Sequence, residues 1–296
     1  MLSVLIPTYN YKALPLIQEV HKQLVSSSID FEIICIDDSS EEEFLIPPIQ
    51  INSLSNTNYN ILDKNLGRSK VRNILAGKAK FNWLLFLDSD VKPLRSDFIN
   101  NYLEVISLNN KVICGGIRYE TEKPKSERQL RHKYGKKREE KSVFERKQQP
   151  FRYLLASNFL IEKKVFEDIK FNESLTQYGH EDTLLGIDLR KREINILHIE
   201  NPVFHLGVEK SSVFLKKTEQ AVRNALFLYR QNLVTKEDIK LIDKYIRLRF
   251  IKKPIVFVFR TFKNQIFKQL NSKNPSLLLF DFYKLAFLYS LKKESL

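Results

Sequence analysis

Over residues 1–117 short apolar runs alternate with longer stretches in which apolar residues recur every three or four positions, the rhythm of parallel strands joined by helices. Ser3 to Pro7 predicts a strand, and Ala13 to Val25, with Leu16, Ile17, Val20 and Leu24 at helical spacing, predicts a helix. Phe31 to Ile36 reads as the second strand, Gly67 to Ala79 as a helix, and Trp83-Leu84-Leu85-Phe86-Leu87 as a buried strand. Between them Pro47-Pro48 breaks the pattern, and Ile49 to Leu54 and Tyr59 to Leu62 read as two short strands. Ser96-Asp97 caps a helix running to about Leu108, and Val112 to Ile117 returns as a strand. The rhythm then stops: Tyr119 to Pro150 is highly charged, lacks an apolar period and reads as a mobile basic loop over 119–150. Order resumes at Tyr153 to Ile161, followed by a turn at Asn172-Glu173, a helix from about Glu181 to Lys191, and strands near Ile194 to Ile199 and Val203 to His205. From Ser211 the pattern is helical, interrupted at Pro254 and Pro275. The expected architecture is α/β: a single Rossmann-like, mostly parallel sheet flanked by helices over 1–207, then a basic amphipathic helical extension over 208–296.

Charge sharpens that division. The formal net charge is +14, yet residues 1–117 carry 11 Lys and Arg against 13 Asp and Glu, and residues 153–205 carry 6 against 9. The excess sits in residues 118–152, with 13 against 6, and in residues 206–296, with 19 against 7. A slightly acidic core with a basic loop and a basic tail predicts that loop and tail meet something anionic. The acidic core speaks against nucleic acid as its ligand. Cys35 and Cys114 both lie in apolar runs, as buried strand residues do, rather than in a disulfide or metal pair. The first residues run straight into a strand with no leader pattern, and no apolar stretch approaches the roughly 18 residues a bilayer span needs. A cytoplasmic chain, not integral to a membrane, is expected.

Chemistry-bearing residues collect at the carboxyl ends of the predicted strands, where open α/β sheets hold ligands. Asp88-Ser89-Asp90 follows the Trp83 strand and offers hard oxygen ligands for Mg2+ or Mn2+; such a cation bridges the phosphates of a nucleotide diphosphate and stabilises its departure. His205 is the candidate further ligand, and an imidazole favours Mn2+, although a lone His on an apolar face is more often a satisfied core residue. Pro7-Thr8-Tyr9-Asn10 and Asp37-Asp38-Ser39 end two strands at one edge. A tyrosine face can stack on a base and a carboxylate can accept its imide N–H, while an ordinary Asp-Ser turn fits equally. Arg68 and Arg72, four apart, share a helix face directed at a nucleotide or at its acidic neighbours; a solvated pair is the plainer alternative. Gly179-His180-Glu181-Asp182 opens a helix, a good place for an ionised general base and equally for simple capping.

Taken in order, Ser3-Val4-Leu5-Ile6-Pro7-Thr8-Tyr9-Asn10, Cys35-Ile36-Asp37-Asp38-Ser39-Ser40, Asn65-Leu66-Gly67 with Arg72-Asn73, Leu87-Asp88-Ser89-Asp90, Gly179-His180-Glu181-Asp182 and His205 closely resemble a family 2 glycosyltransferase of the GT-A fold over about residues 1–207. The Glu181-Asp182 segment also looks like the galactosyltransferase-type carboxyl half of metal-dependent enzymes. The resemblance implies inverting transfer of a hexose or N-acetylhexosamine from a UDP-sugar to an acceptor hydroxyl, in surface polysaccharide or glycolipid synthesis. It implies that Pro7, Tyr9 and Asp38 surround the uridine with Arg68 or Arg72 nearby, that Asp88 and Ser89 contact the donor, and that Asp90 and His205 hold a divalent cation, Mn2+ before Mg2+. Asp182 is then the base that takes the acceptor proton and Glu181 orients hydroxyls. No Gln-x-x-Arg-Trp sequence of processive synthases is present, so addition of a single sugar is expected.

The loop reads as a lid that excludes water, with Arg128, Arg131, Lys133, Lys136, Lys137 and Arg138 meeting a diphosphate or a phosphorylated acceptor, or as a solvated charge run. In the tail, Ile239, Ile242, Tyr245, Ile246 and Phe250 recur at helical spacing among Lys240, Lys244, Arg247 and Lys253. That helix either packs on its own chain or lies on an anionic leaflet where a glycan or lipid-linked acceptor is found, which would make the protein peripheral at the inner face of the membrane. Two other functions compete. A nucleotidyltransferase of sugar metabolism calls for a glycine-rich phosphate loop near the first strand, and Pro7 to Ala13 contains no glycine. A non-enzymatic anionic-polymer-binding protein leaves the acidic core without a role.

Overall fold

The first apolar run forms β1 (Leu2–Thr8), followed by α1 (Leu14–Ser26), β2 (Phe31–Asp37), β3 (Thr57–Ile61), the helix Arg68–Lys78 and β4 (Trp83–Leu87) in a computed structural model. The structure describes residues 1–106, 110–122, 124–175 and 177–291. Its residues cluster into two compact units, one of Met1–Glu120, Glu139–Thr176 and Glu181–Gly207, the other of Thr121–Arg138, Gln177–His180 and Val208–Leu296.

In the first unit β1 runs parallel to both β2 and β4, with Thr8 level with Asp37 and Leu5 level with Phe86. The loops after these three strands therefore leave one edge of the sheet. Beyond β4 the sheet continues through β8 (Asn158–Glu162), antiparallel to β4, to β6 (Val112–Cys114) and β9 (Ile196–His198), giving the order β3-β2-β1-β4-β8-β6-β9. The architecture is the mostly parallel sheet flanked by helices that the alternation predicts. Leu5, Ile34, Phe86, Phe159, Phe166 and Leu185 are among the residues of its core, where Phe86 stacks on Phe159 with ring centroids 4.9 Å apart.

Four details depart from the sequence pattern. Ile49 to Leu54 is not a strand: Pro48–Asn52 is a helical turn, because a proline at its first position is already set for helix and gives up no hydrogen bond there. The Val112 to Ile117 strand splits, since Gly115 and Gly116 carry the chain out of the main sheet. A Cβ on Gly115 would overlap the Asn201 carbonyl, and Gly116 has φ +93°. The chain then pairs again in a small second sheet, β5 (Val91–Pro93), β10 (Val203–His205) and β7 (Ile117–Arg118) in the order β5-β10-β7, so the sheet is not single. Finally, 119–150 is largely helical, with Gln129–Tyr134 and Val143–Gln148 as α-helices and a Ser142/Glu145 capping box opening the second. Leu130 and Tyr119 are buried in it, but several other buried positions are polar, Arg131, His132 and Arg146 among them: Arg146, 2% exposed, donates to the carbonyls of Cys114, Gly115 and Ile199. With so few apolar residues among its buried positions, the segment shows no apolar period. The helix expected to reach Leu108 is described over Phe98–Ile106, and Leu108 lies outside the described residues.

The second unit is helical: Ser211–Arg230, Lys240–Arg247, Lys252–Thr261, Lys263–Leu270 and Leu277–Ser290. Leu130, Phe214, Phe259, Ile266, Leu270 and Phe280 are among the residues of its core. Pro254 stands in the first turn of Lys252–Thr261, where proline is tolerated, just after the break that follows Arg247, so the pattern is interrupted there as the sequence predicts. Ile239 and Ile242 are buried, so the apolar side of the Lys240–Arg247 helix is turned inward, whereas Phe250 is 78% exposed. No helix among the described residues is long and apolar enough to cross a membrane.

Candidate active site

The residues expected to hold the donor, the cation and the acceptor proton fall at the carboxyl edge of the first unit's sheets and at two helix starts, whereas Arg128, Arg131, Lys133, Lys136, Lys137 and Arg138 belong to the second unit. Pro7 lies near the end of β1, and Tyr9, just past it, is half exposed with its ring open to solvent. Asp38 follows β2, its N–H bonded to the Thr8 carbonyl at 2.8 Å. Its carboxylate accepts the N–H groups of Leu66 at 2.6 Å and Gly67 at 2.9 Å, which pins the loop that opens the Arg68–Lys78 helix. Burial pushes the Asp38 carboxyl up, opposed by those two N–H groups. Asp38→Ala is expected to destabilise the protein by about 1–3 kcal/mol, because two N–H groups lose their acceptor. Urea unfolding measures it, and Asp38→Asn, which keeps one acceptor, should cost less.

Arg72, one turn into that helix and 2% exposed, reaches Asp88 with Nη2 at 2.5 Å from Oδ1. Its guanidinium lies 5.2 Å over the Phe171 ring. Nε and Nη1 are buried with no hydrogen-bond partner among the described residues, two donors left available inside the site. Burial would raise the Asp88 carboxyl, but Arg72, aided by Arg68 and His205, outweighs it and holds Asp88 below the usual carboxylate range. Arg68 itself is exposed in the first turn. Ser89 is buried in the turn between β4 and β5.

Asp90 and His205 face each other across the small sheet's edge, Oδ2 to Nε2 at 3.6 Å. The His205 ring stacks on Tyr119 at 5.4 Å between centroids. Gly207 packs so closely that a Cβ there would overlap the Asp90 carboxylate. Among the described residues no group of three or more His, Cys, Asp and Glu converges as a metal site. One carboxylate oxygen and one imidazole nitrogen still form a pair of donors that could hold a divalent cation, if other ligands completed its shell. The cradle at Gly207 leaves the carboxylate room on that side.

Glu181 and Asp182 open the helix Glu181–Lys191. Burial first, and then the Glu181 charge, raises the Asp182 carboxyl to about 7, while Arg72 and the Ala156 N–H oppose the rise; the Asp88 charge adds to it. Asp182, Arg72 and Asp88 thus form one electrostatic group, drawn from three elements up to 110 positions apart in sequence. Gly179 and His180, from the same motif, belong to the second unit.

The sequence reading passed over Tyr11, Tyr119, Phe171 and Gly207. Tyr11 is raised by burial and then by the Asp90 charge, so it lies within electrostatic reach of that carboxylate. Its only signal is its place three residues past β1. Tyr119 and Phe171 act through ring contacts that no local spacing announces, and Gly207, two residues after His205, has meaning only once Asp90 is placed against it.

The comparisons with known proteins agree on a family. The family model described as "Glycosyl transferase family 2" matches residues 3–170. An uncharacterized glycosyltransferase of Haemophilus influenzae is 36% identical over 94 residues, covering 30% of this chain and 29% of the relative. Chondroitin synthase of Escherichia coli is 27% identical over 220 residues, covering 64% of this chain and 32% of the relative. The chain thus spans about a third of the length of these two relatives. Among solved structures, a mannosyltransferase from Pyrobaculum calidifontis, in complex with GDP-Man and Mn2+, is similar with a TM-score of 0.54 at 11% identity, covering 77% of this chain and 64% of that one. This last likeness is one of fold, the GT-A type of mostly parallel sheet flanked by helices.

Proposed function

The chain belongs to glycosyl transferase family 2, and from that premise we propose that it transfers a hexose or N-acetylhexosamine from a UDP-sugar to an acceptor hydroxyl, with inversion and with a divalent cation, Mn2+ before Mg2+. The observation that carries this reading is the Asp182 carboxyl held at about 7 beside the Arg72–Asp88 pair. A base serves best when its pKa lies near the working pH.

In the proposed step the acceptor hydroxyl oxygen bonds to the anomeric carbon as the bond from that carbon to the diphosphate oxygen breaks. The hydroxyl proton passes to the Asp182 carboxylate, and the bonding electron pair leaves with the diphosphate. Asp90 and His205 would hold the cation, whose charge offsets the negative charge gathering on the leaving group. Tyr9 offers its exposed face to the uracil. Pro7, Arg68 and Ser89 complete the donor pocket, and Asp38 acts chiefly by fixing the Leu66-Gly67 backbone beside it. Arg72 orders Asp88 and keeps it ionised. Glu181 orients sugar hydroxyls and lifts the Asp182 pKa. The acceptor in this reading is a glycan, free or lipid-linked at an anionic membrane surface; the similarity to a chondroitin synthase supports no more than the glycan.

The test is calorimetric binding and hydrolysis across UDP-, GDP- and dTDP-sugars with Mn2+, Mg2+ or EDTA. UDP-sugar binding that EDTA abolishes and Mn2+ restores is expected. Binding of no nucleotide sugar under any metal condition would end the transferase reading.

A further inference from the structure

We propose that the second unit docks on an anionic phospholipid bilayer through the outer face of the helical stretch Arg249 to Thr261, with Phe250 and Phe257 as the inserting side chains. This stretch begins as a 3-10 turn, Arg249–Ile251, and continues directly as Lys252–Thr261. Phe259 is buried in the unit's core with Ile255 packed against it. Phe250 and Phe257, seven residues apart, fall on the opposite face and are 78% and 69% exposed. Lys253 and Arg260, each three residues beyond one of these phenylalanines, are exposed on the same side.

Charge selects the occupant. From Lys244 to Phe280 the chain carries nine Lys and Arg and no Asp or Glu. Two solvent-exposed phenylalanine rings framed by cations match the boundary of an anionic leaflet, where rings enter the acyl margin and ammonium and guanidinium groups meet lipid phosphates. The surface differs from the one the sequence suggests. Ile239 and Ile242 are consumed by internal packing, and of that stripe only Phe250 stands well out into solvent. The inference rests on the proposed membrane placement for its purpose, bringing the chain to a lipid-linked acceptor, and does not depend on the transfer chemistry.

The full chain would be sedimented with vesicles of mixed phosphatidylglycerol and phosphatidylcholine, and with phosphatidylcholine alone. Binding to the anionic vesicles only is expected, with Phe250→Ser/Phe257→Ser weakening it by at least about tenfold, given the apolar area two rings bury. Circular dichroism should show that the double variant keeps its helices. A Phe257→Trp variant should shift its emission to the blue with anionic vesicles, read against the wild-type signal of Trp83. Vesicle binding indifferent to the double variant, with no emission shift, overturns the proposal. So does binding to heparin as tight as to vesicles and equally indifferent, which points to a soluble polyanion, and so does no vesicle binding at all. UDP-sugar hydrolysis without vesicles is read in parallel and should be unchanged by Phe250→Ser/Phe257→Ser. Its absence alongside intact vesicle binding would count against the transferase reading alone.

Discussion

Asp182→Asn is expected to leave UDP-sugar binding nearly intact and to lower kcat by about 10^2–10^4-fold, the range a positioned general base supplies. The amide keeps the size and one acceptor oxygen but takes up no proton. The wild-type pH profile should show why. Asp182 must be ionised to act, and its carboxyl is held at about 7 by burial and the Glu181 charge. Activity therefore rises with pH through about 7 and levels above it. Glu181→Gln removes a raising influence and should move that limb to lower pH. Asp182→Asn should retain only low activity with no limb in this region. The stability sign runs the other way from activity. A carboxyl raised by folding favours the folded state below its unfolded pKa and loses that contribution as pH climbs through about 7. Asp182→Asn should thus raise the midpoint of urea unfolding at pH 8 relative to wild type while activity falls. A variant that instead loses stability and activity together would show that Asp182 is a structural residue. Equal kcat in wild type and variant would dismiss it as the base.

How far the sequence reaches depends on whether a feature is carried by local periodicity. Trp83–Leu87 and Glu181–Lys191 form with the bounds that their patterns predict, because a five-residue apolar run and an eleven-residue helical segment each satisfy their own backbone. The small sheet was not legible: Val91–Pro93 and Ile117–Arg118 are too short to show a period and exist only because Val203–His205 lies between them. The helices within 119–150 were hidden for another reason. Arg146 is buried by bonding to main-chain carbonyls that the fold brings to it, so it carries a polar signature at an inward position. The site divides along the same line. Strand ends could be placed together because parallel pairing puts them on one edge, which brings Thr8 level with Asp37. Partners could not: that Asp38 would be occupied by the Leu66 and Gly67 N–H groups, or that Arg72 would spend one nitrogen on Asp88 and keep two without partners, depends on side-chain geometry. The comparisons reach the family and the fold, and the roles of these residues rest on the chemistry argued above.

Asp90→Ala should lower metal-supported transfer by about 10^3-fold, since it removes one of the two protein donors that, among the described residues, face each other at the proposed cation position, and leaves His205 to hold the ion. Activity by itself would not separate a lost ligand from a disturbed fold, so Mn2+ binding is read directly, by electron paramagnetic resonance in the presence of UDP. The free-ion signal should fall on titration of wild type and remain with Asp90→Ala. Gly207→Ala supplies the geometric control. It keeps both donors but places a methyl where the Asp90 carboxylate now lies, so the carboxylate must turn away from its present position. A weaker Mn2+ affinity and a turnover between those of wild type and Asp90→Ala are expected, and excess Mn2+ should recover part of the Gly207→Ala loss and little of the Asp90→Ala loss. That graded response follows only if the orientation of the carboxylate, and not merely its negative charge, sets the site. Full turnover by Asp90→Ala in EDTA would show that the departing diphosphate is stabilised without the cation. The two open donors of Arg72, buried within the same electrostatic group as Asp88 and Asp182, would then be the candidate source of positive charge.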